Sequence, residues 1–298
     1  LGWIDKKSNK IHRIQESQNA IRTISSDKII ALYEDRLKNL WIGTKGGGVN
    51  ILPLHMVESA SYDFITYRYD YKDPKSLSHN DVYCIKQDRQ GNIWLGTGSG
   101  LNKLEWNRNQ SLTDALMKGE VEFSVYLEKD GLSNGVVFGI LEDRQGNLWL
   151  STNNGLSMFD QHSGKFINYN VNDGLQANEF YHNAYFQDSS NNMYFGGVNG
   201  LTVFNADSIR QTPVNANVII TGLKIFNNTI YPGEKINNRI ILENDIFYTN
   251  KIVLTYKEKE FTLEFSALQF ANPQRIQYEY RLKGFNDNWQ KADANSRT

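Results

Sequence analysis

Between residues 29 and 205 short apolar runs alternate with polar turns too closely spaced for helices of ordinary length. The clearest stretch is Val136-Val137-Phe138-Gly139-Ile140-Leu141, a polar turn from Asp143 to Asn147, and then Leu148-Trp149-Leu150-Ser151-Thr152. Two β-branched and aromatic runs joined by a Gly-containing polar turn predict a hairpin. Gly146 supplies the positive φ of a short bulged turn, and Asp143 can bond back onto the turn amides. Asn153-Asn154-Gly155 then turns the chain into Leu156–Phe159, and Gln161-His162-Ser163-Gly164 turns it into Lys165–Tyr169. Four short antiparallel strands with turn chemistry at each connection describe one blade of a β-propeller. The continuously apolar first strand is expected innermost, and the alternating last strand outermost and half exposed.

The unit repeats. Asp88-Arg89-Gln90-Gly91-Asn92-Ile93-Trp94 returns as Asp143-Arg144-Gln145-Gly146-Asn147-Leu148-Trp149, with looser copies at Asp35–Trp41 and Asp188–Tyr194. Trp41, Trp94, Trp149 and Tyr194 stand 53, 55 and 45 residues apart, a period that belongs to repeat architectures. Residues 29–69 and 82–126 therefore read as blades with insertions, 183–204 as three strands of another, and 1–14 as the last two strands of an earlier blade. Ser111 with Asp114 three positions on and Gly119 at the end predicts one or two helical turns inside the second blade. Because a propeller closes with four to eight blades, four repeats and a fragment are expected to be part of a larger ring.

After Phe204 the phrase stops. Longer alternating stretches follow at 218–226, 251–256, 260–268 and 277–282, with polar turns between, which argues for an immunoglobulin-like sandwich. About five strands are countable where such a sandwich has about seven. The expected organisation is thus all-β: a partial propeller over 1–212 and an incomplete sandwich over 213–298, truncated at both ends.

Composition narrows the function. Lys+Arg 32 against Asp+Glu 33 leaves a net charge of -1 and no basic block, which argues against direct nucleic-acid binding. Cys84 is the only cysteine, so an intrachain disulfide and a Cys-x-x-Cys site are excluded, and its apolar context makes it a small buried residue. No apolar run reaches the roughly 18 residues of a membrane span, and the opening residues do not read as a signal peptide. No metal site or cofactor motif is expected.

The repeat from Glu142 to Leu156 resembles the two-component regulator propeller repeat, and Asp130-Gly131-Leu132-Ser133-Asn134, Asp173–Asn178 and Asp73–Asn80 resemble its inter-blade linker. The tail Phe270–Trp289 resembles the Y_Y_Y domain that follows those propellers. In order, the two resemble the periplasmic sensor of hybrid two-component systems of Bacteroides-type bacteria. The resemblance implies an inner-membrane receptor that detects glycan-derived oligosaccharides and controls their degradation genes. It also implies a homodimer and a membrane helix, kinase, receiver and DNA-binding module outside this chain. Tyr194 in place of Trp and Asn191 in place of Gly depart from the repeat in the last blade.

In such a ring the loops at about 78–81, 132–135 and 176–182, with Lys45-Gly46, Gly98-Ser99, Asn153-Asn154 and Val198-Asn199, converge on the central funnel. Planar amides and aromatic faces suit sugars, so the candidate ligand contacts are His79, Asn80, Asn134, Asn178, Tyr181 and His182, with Asn153, Asn154 and Asn183 beside them. Any of the asparagines can instead serve a turn. The Trp positions read as inter-blade packing, and a hairpin accounts for the Asp-Arg-Gln-Gly-Asn turns on the opposite face. Asp81 and Glu179 are the one candidate acid/base pair for a glycosidase-like or lyase alternative. The insertions at 53–62 and 105–119, with Trp106, Leu112, Leu116 and Met117, offer either a contact patch for a protein partner or cover for the blade itself.

Overall fold

The computed structural model describes residues 1–5, 9–14, 23–53, 63–209, 217–267, 278–285 and 288–292. The chain divides into two compact units, Leu1–Arg210 and Gln211–Thr298. The first is a row of antiparallel sheets, each written in chain order. Strands β1 (Gly2–Asp5) and β2 (Lys10–Arg13) pair as a hairpin. Strands β3 (Ile29–Glu34), β4 (Asn39–Thr44), β5 (Val49–Pro53) and β6 (Ile65–Tyr67) form the first four-stranded sheet. The second is β7 (Val82–Gln87), β8 (Ile93–Thr97), β9 (Gly100–Trp106) and β10 (Val121–Tyr126); the third is β11 (Val137–Glu142), β12 (Leu148–Thr152), β13 (Gly155–Asp160) and β14 (Lys165–Tyr169). Strands β15 (Phe180–Gln187), β16 (Asn192–Gly197) and β17 (Gly200–Asn205) make a three-stranded fourth. The first strands β3, β7, β11 and β15 lie beside one another in succession, which is the inner wall of a propeller. Leu1 and Ile14, flanking the β1–β2 hairpin, pack with Ile24, Ile42, Leu52 and Phe64 at the first sheet.

The repeated phrase explains how each blade holds itself and its neighbour. Asp88 accepts hydrogen bonds from the Asn92 backbone N–H (2.8 Å), Asn92 Nδ2 (2.7 Å) and Trp94 Nε1 (2.9 Å), and is itself fully buried. Asp35 and Asp143 repeat this clamp on Asn39 with Trp41 and on Asn147 with Trp149; Asp188 repeats it on Asn192 with the Tyr194 hydroxyl. The turn residue is in the left-handed region in every copy: Gly91 and Gly146 at φ 88°, Asn191 at 67° and Lys38 at 65°. Asn191 thus fills the glycine position because asparagine tolerates that conformation best among residues with a Cβ. The tryptophans pack forward onto the next blade: Trp41 with Val82, Ile93 and Leu95, Trp94 with Val137 and Leu150, Trp149 with Phe180, Met193 and Phe195.

One part of the phrase does more than a hairpin needs. The Arg36 guanidinium donates to the backbone carbonyls of Asp88 (2.9 Å) and Arg89 (3.1 Å) in the next blade, and Arg89 donates in turn to those of Asp143 (2.8 Å) and Arg144 (3.1 Å). Arg144 reaches Asp207 Oδ2 (2.7 Å) and the Ser189 carbonyl (3.4 Å). The turns are therefore staples between blades, and the expectation that a hairpin accounts for them fully is corrected. The planar, always charged guanidinium suits this, because it can serve two carbonyls at once.

Helix α1 (Leu112–Lys118) forms where the Ser111 cap and Gly119 stop predict it; Ser111 Oγ accepts from the Asp114 N–H, and Gly119 takes φ 71°. It folds neither outward nor onto its own blade alone. Leu112 and Leu116 are buried beside Trp41 and Ile51 of the first blade, and Thr113 exchanges hydrogen bonds with the Asn39 side chain (3.0 and 3.1 Å). Trp106 carries the Arg108 guanidinium 3.5 Å from its ring centre. The expected apolar contact patch is thus spent inside the chain, leaving Met117 half exposed. The companion insertion lies outside the described residues from 54 to 62.

In the second unit β18 (Val218–Ile225) pairs with β19 (Asn228–Thr229) on one side and β22 (Phe261–Ala267) on the other. Strand pairs β20 (Lys235–Ile236) with β21 (Arg239–Ile240) and β23 (Glu279–Tyr280) with β24 (Gln290–Lys291) complete its described strands. Leu223, Ile225, Ile230, Ile241, Leu242 and Ile246 form its core. The strand expected at 251–256 is absent: Ile252 and Leu254 do turn alternately onto the core, but the backbone makes no ladder. Its Val253 carbonyl instead accepts from Arg239 Nη2 (3.1 Å), and Glu258 draws in the Thr255 N–H (2.8 Å) and hydroxyl (2.6 Å). Alternation reports burial, and burial does not require a neighbouring strand. Much of the strand expected at 260–268 is β22, whereas half of the tail resemblance at 270–289 falls outside the described residues.

Candidate ligand-binding site

Each innermost strand shifts register against its partner: at Ile29/Ala31, Val82/Cys84, Val137/Gly139 and, over a longer stretch, Phe180/Tyr185. A bulge leaves its extra residue out of the ladder and re-aims the side chain. The extra residues are Ile30, Tyr83, Phe138 and the run Tyr181–Ala184, one set per blade. Their rings meet. Tyr83 and Phe138 stand edge-on with centres 5.2 Å apart, and the His182 ring lies 6.2 Å from the first and 6.4 Å from the second. Tyr83 and Phe138 are half-buried and His182 is exposed, so three successive blades contribute one ring each to an accessible cluster. Asn183, at φ 59°, sends Nδ2 to the Ile30 carbonyl of the first blade (3.2 Å). The residues that follow, Cys84 and Gly139, rejoin the ladder opposite Gly96 and Ser151; a Cβ on Gly96 would strike the Cys84 sulfur, and one on Gly139 the Tyr185 ring.

Beside the rings, Asp81 Oδ1 accepts from the Gly46 N–H (2.7 Å), which ties the loop of one blade to the entry of the next. Burial, with the neighbouring Asp81 carboxylate and a hydrogen bond to it, raises the Tyr83 phenol above its ordinary value. Tyr83 therefore stays a neutral hydroxyl whose proton is given to Asp81 and whose oxygen can accept. Burial likewise pushes up the thiol of Cys84, which is inert as a nucleophile.

The other residues singled out from the sequence divide by what their polar atoms do. His79 Nδ1 accepts from the Asp81 N–H (2.9 Å), and its ring lies against Gly98, where a Cβ would come within 2.6 Å. Asn80 Oδ1 accepts from the Tyr69 N–H and Asn178 Oδ1 from the Val171 N–H, while their own carbonyls take the Gly48 and Gly155 amides. Asn134 Oδ1 accepts from Val136 N–H, and its Nδ2 is 3.4 Å from Glu128 Oε1. Tyr181 is 55% exposed. The structure thus gathers His182 with two rings not singled out before, Tyr83 and Phe138. The signal was present as an aromatic at the second position of two innermost strands. It was hidden because an apolar strand accommodates aromatics on either face.

Asp81 and Glu179 occupy equivalent positions two blades apart, with Val136 at the same position of the blade between them, and Asp81 is engaged by an amide and the Tyr83 hydroxyl. That disposition favours a structural carboxylate over a general acid. Among the described residues no group of three or more His, Cys, Asp and Glu is gathered for a metal ion, and no helix is long and apolar enough to cross a membrane.

Comparison with known proteins agrees with the repeat. The two-component regulator propeller family model matches residues 23–46, 76–99 and 131–154, each covering an inter-blade linker and the hairpin after it. Histidine kinase P4 from Formosa agariphila is 29% identical over 268 residues, 90% of this chain and 18% of that protein. The extracellular domain of the hybrid two component system BT3049 from B. thetaiotaomicron superposes with a TM-score of 0.72 at 27% identity, over 97% of this chain and 36% of that one. PorZ, a surface component of the type-IX secretion system of Porphyromonas gingivalis, shares the fold with a TM-score of 0.52 at 12% identity, over 89% of this chain and 41% of that one. The chain spans about a fifth of the kinase and about a third of the solved extracellular domain. By its propeller repeats, its homology to a histidine kinase and its structural match, this chain is related to the extracellular sensor domains of hybrid two-component systems.

Proposed function

We propose that the chain is the ligand-sensing and signal-transmitting part of a hybrid sensor histidine kinase, responding to glycan-derived oligosaccharides in the periplasm. The observation that carries the reading is the Tyr83, Phe138 and His182 cluster, three rings delivered by bulges of three successive innermost strands. Aromatic faces bury the apolar face of a sugar ring, and the Tyr83 hydroxyl, Tyr181 and His182 supply hydrogen bonds around its edge. The second unit is an immunoglobulin-like Y_Y_Y domain that passes the change onward in a receptor that works as a homodimer and meets the membrane through a helix outside these residues.

The mechanism is differential affinity. An oligosaccharide that binds one arrangement of the receptor more tightly than another shifts that equilibrium, and no bond in the ligand need be broken. Calorimetric titration of the chain with a panel of oligosaccharides, followed by chromatography of the mixture, tests this. Binding with the sugar recovered intact is expected. Shortened sugars whose release stops on Asp81→Asn or Glu179→Gln would replace the sensor with an enzyme.

A further inference from the structure

Away from the axial rings, a cleft of about 430 Å³ opens above the third blade between two successive inter-blade linkers. Asparagine dominates its wall: Asn154, Asn168, Asn170, Asn172 and Asn178 all line it, with Glu128 as its one charged group. The repeat supplies its own control for asking whether the fold requires them. Aligned on the strand registers and linkers, the positions of these five residues are held in the second blade by Ser99, Val125, Leu127, Lys129 and Gly135. The same backbone is built there without an amide, and although the first blade keeps Asn80 at the Asn178 position with the same hydrogen bond, blade construction does not demand the five together.

Several of the amides are fixed and only partly used. Asn170 Oδ1 accepts from the Asn172 N–H (2.8 Å) and Asn178 Oδ1 from the Val171 N–H (3.0 Å), which locks both side chains while neither Nδ2 has a partner among the described residues. Asn154 donates through Nδ2 to the Ser133 carbonyl (3.3 Å), leaving its Oδ1 without a donor among them. Glu128 receives the Gly135 N–H on Oε1 (2.8 Å). The cleft therefore presents two pre-oriented donors and at least one acceptor on a rigid frame, and it presents no cation. A ligand that fits must offer both acceptors and donors and carry no negative charge, because an anion would meet Glu128 with nothing to neutralise it.

We propose that this cleft is a second binding site, for an uncharged hydroxyl-rich ligand such as a neutral oligosaccharide, held by Asn154, Asn170 and Asn178. It goes beyond the axial site and depends on none of its residues. Pre-organised amides lose little rotamer freedom on binding, which is the advantage of locking them first.

The test is a glycan array carrying neutral and acidic oligosaccharides, probed with the whole chain and with the double variant Asn170→Leu, Asn178→Gly. These substitutions import the residues that the second blade uses at the same positions, so the fold is preserved; thermal unfolding checks it. A Tyr83→Ala, Phe138→Ala variant runs in parallel. The expected result is binding of neutral glycans that survives loss of the axial rings and falls at least tenfold in the asparagine variant. Absence of neutral binders, preference for acidic ones, or an unchanged profile in the asparagine variant would overturn the cleft. Binding lost only with the axial rings would overturn the cleft while leaving the axial reading standing.

Discussion

At the scale of single residues, the repeat lets each blade be read against the others. Ser151 stands where the other blades have Gly43, Gly96 and Gly196, and its hydroxyl is buried without a partner among the described residues. An unsatisfied buried hydroxyl costs about 1–3 kcal/mol, so Ser151→Ala is expected to leave the melting temperature unchanged or raise it. Asp88 is the opposite case, with three donors converging on one buried carboxylate. Asp88→Ala orphans them and is expected to cost about 3 kcal/mol in chemical denaturation. Glu142 lies between these. Burial raises its carboxyl above the ordinary value although the Arg89 N–H donates to it (3.0 Å). At the preceding junction the same amide, on Arg36, is served by Gln87 Oε1 (3.0 Å). Glu142→Gln copies that neutral arrangement and should be neutral or mildly stabilising at pH 7, with the gain shrinking as the pH falls and the glutamate takes up its proton. The Asp turn and the glycine position of the phrase were readable in the sequence because both are local. The partner of its Arg was not, since it lies a whole blade away and no spacing within one unit points to it.

At the scale of elements, the arginines make each blade junction a unit of stability. Arg89→Ala removes two bonds to backbone carbonyls of the next blade, and because the side chain is half exposed the expected loss is modest, about 1 kcal/mol. Unfolding should also become less cooperative, seen as a shallower denaturant transition, because coupling between repeats resides in their interfaces. Helix α1 adds to the first junction through Leu112 and Leu116, so Leu116→Ala is expected to cost about 2–5 kcal/mol, far more than a surface insertion would. Its cap and stop were legible as Ser111 and Gly119. Its docking across a junction was not, because an amphipathic face names no partner. In the second unit alternation again overstated the case at Lys251–Tyr256, where a side-chain network replaces the ladder. That network has a pH signature. Hydrogen bonds from the Thr255 hydroxyl, the Asn237 amide and the Thr255 N–H hold the Glu258 carboxyl down to about 2. A depressed folded value stabilises above the unfolded value of about 4.3 and is lost as the pH falls through 2. Acid titration should therefore show Glu258→Gln losing stability relative to the native chain at pH 7, and the two converging near pH 2.

At the scale of the whole molecule, the fold was visible in advance because a propeller is one hairpin pattern repeated, and four copies of Asp-x-x-x-Asn-x-Trp or its variant fix the register of every strand. The site was visible only in part. Loops before the innermost strands were the expected location, but Tyr181 and His182 lie within β15 itself, in its bulged run, and the cluster is completed by Tyr83 and Phe138 from the equivalent bulges of β7 and β11. Bulges at Val82/Cys84 and Val137/Gly139 bring them out, and a register shift between two strands is a pairing property that the periodicity of one strand does not encode. The proposed sensing role rests on this cluster, since a sensor needs a site that binds and releases without chemistry. The most direct measurement is the calorimetric affinity of an oligosaccharide ligand for the native chain and for Phe138→Ala, a substitution that removes one ring at the axis. At least tenfold weaker binding to Phe138→Ala is expected, with the sugar recovered intact in both cases. An unchanged affinity in Phe138→Ala would contradict the proposed site.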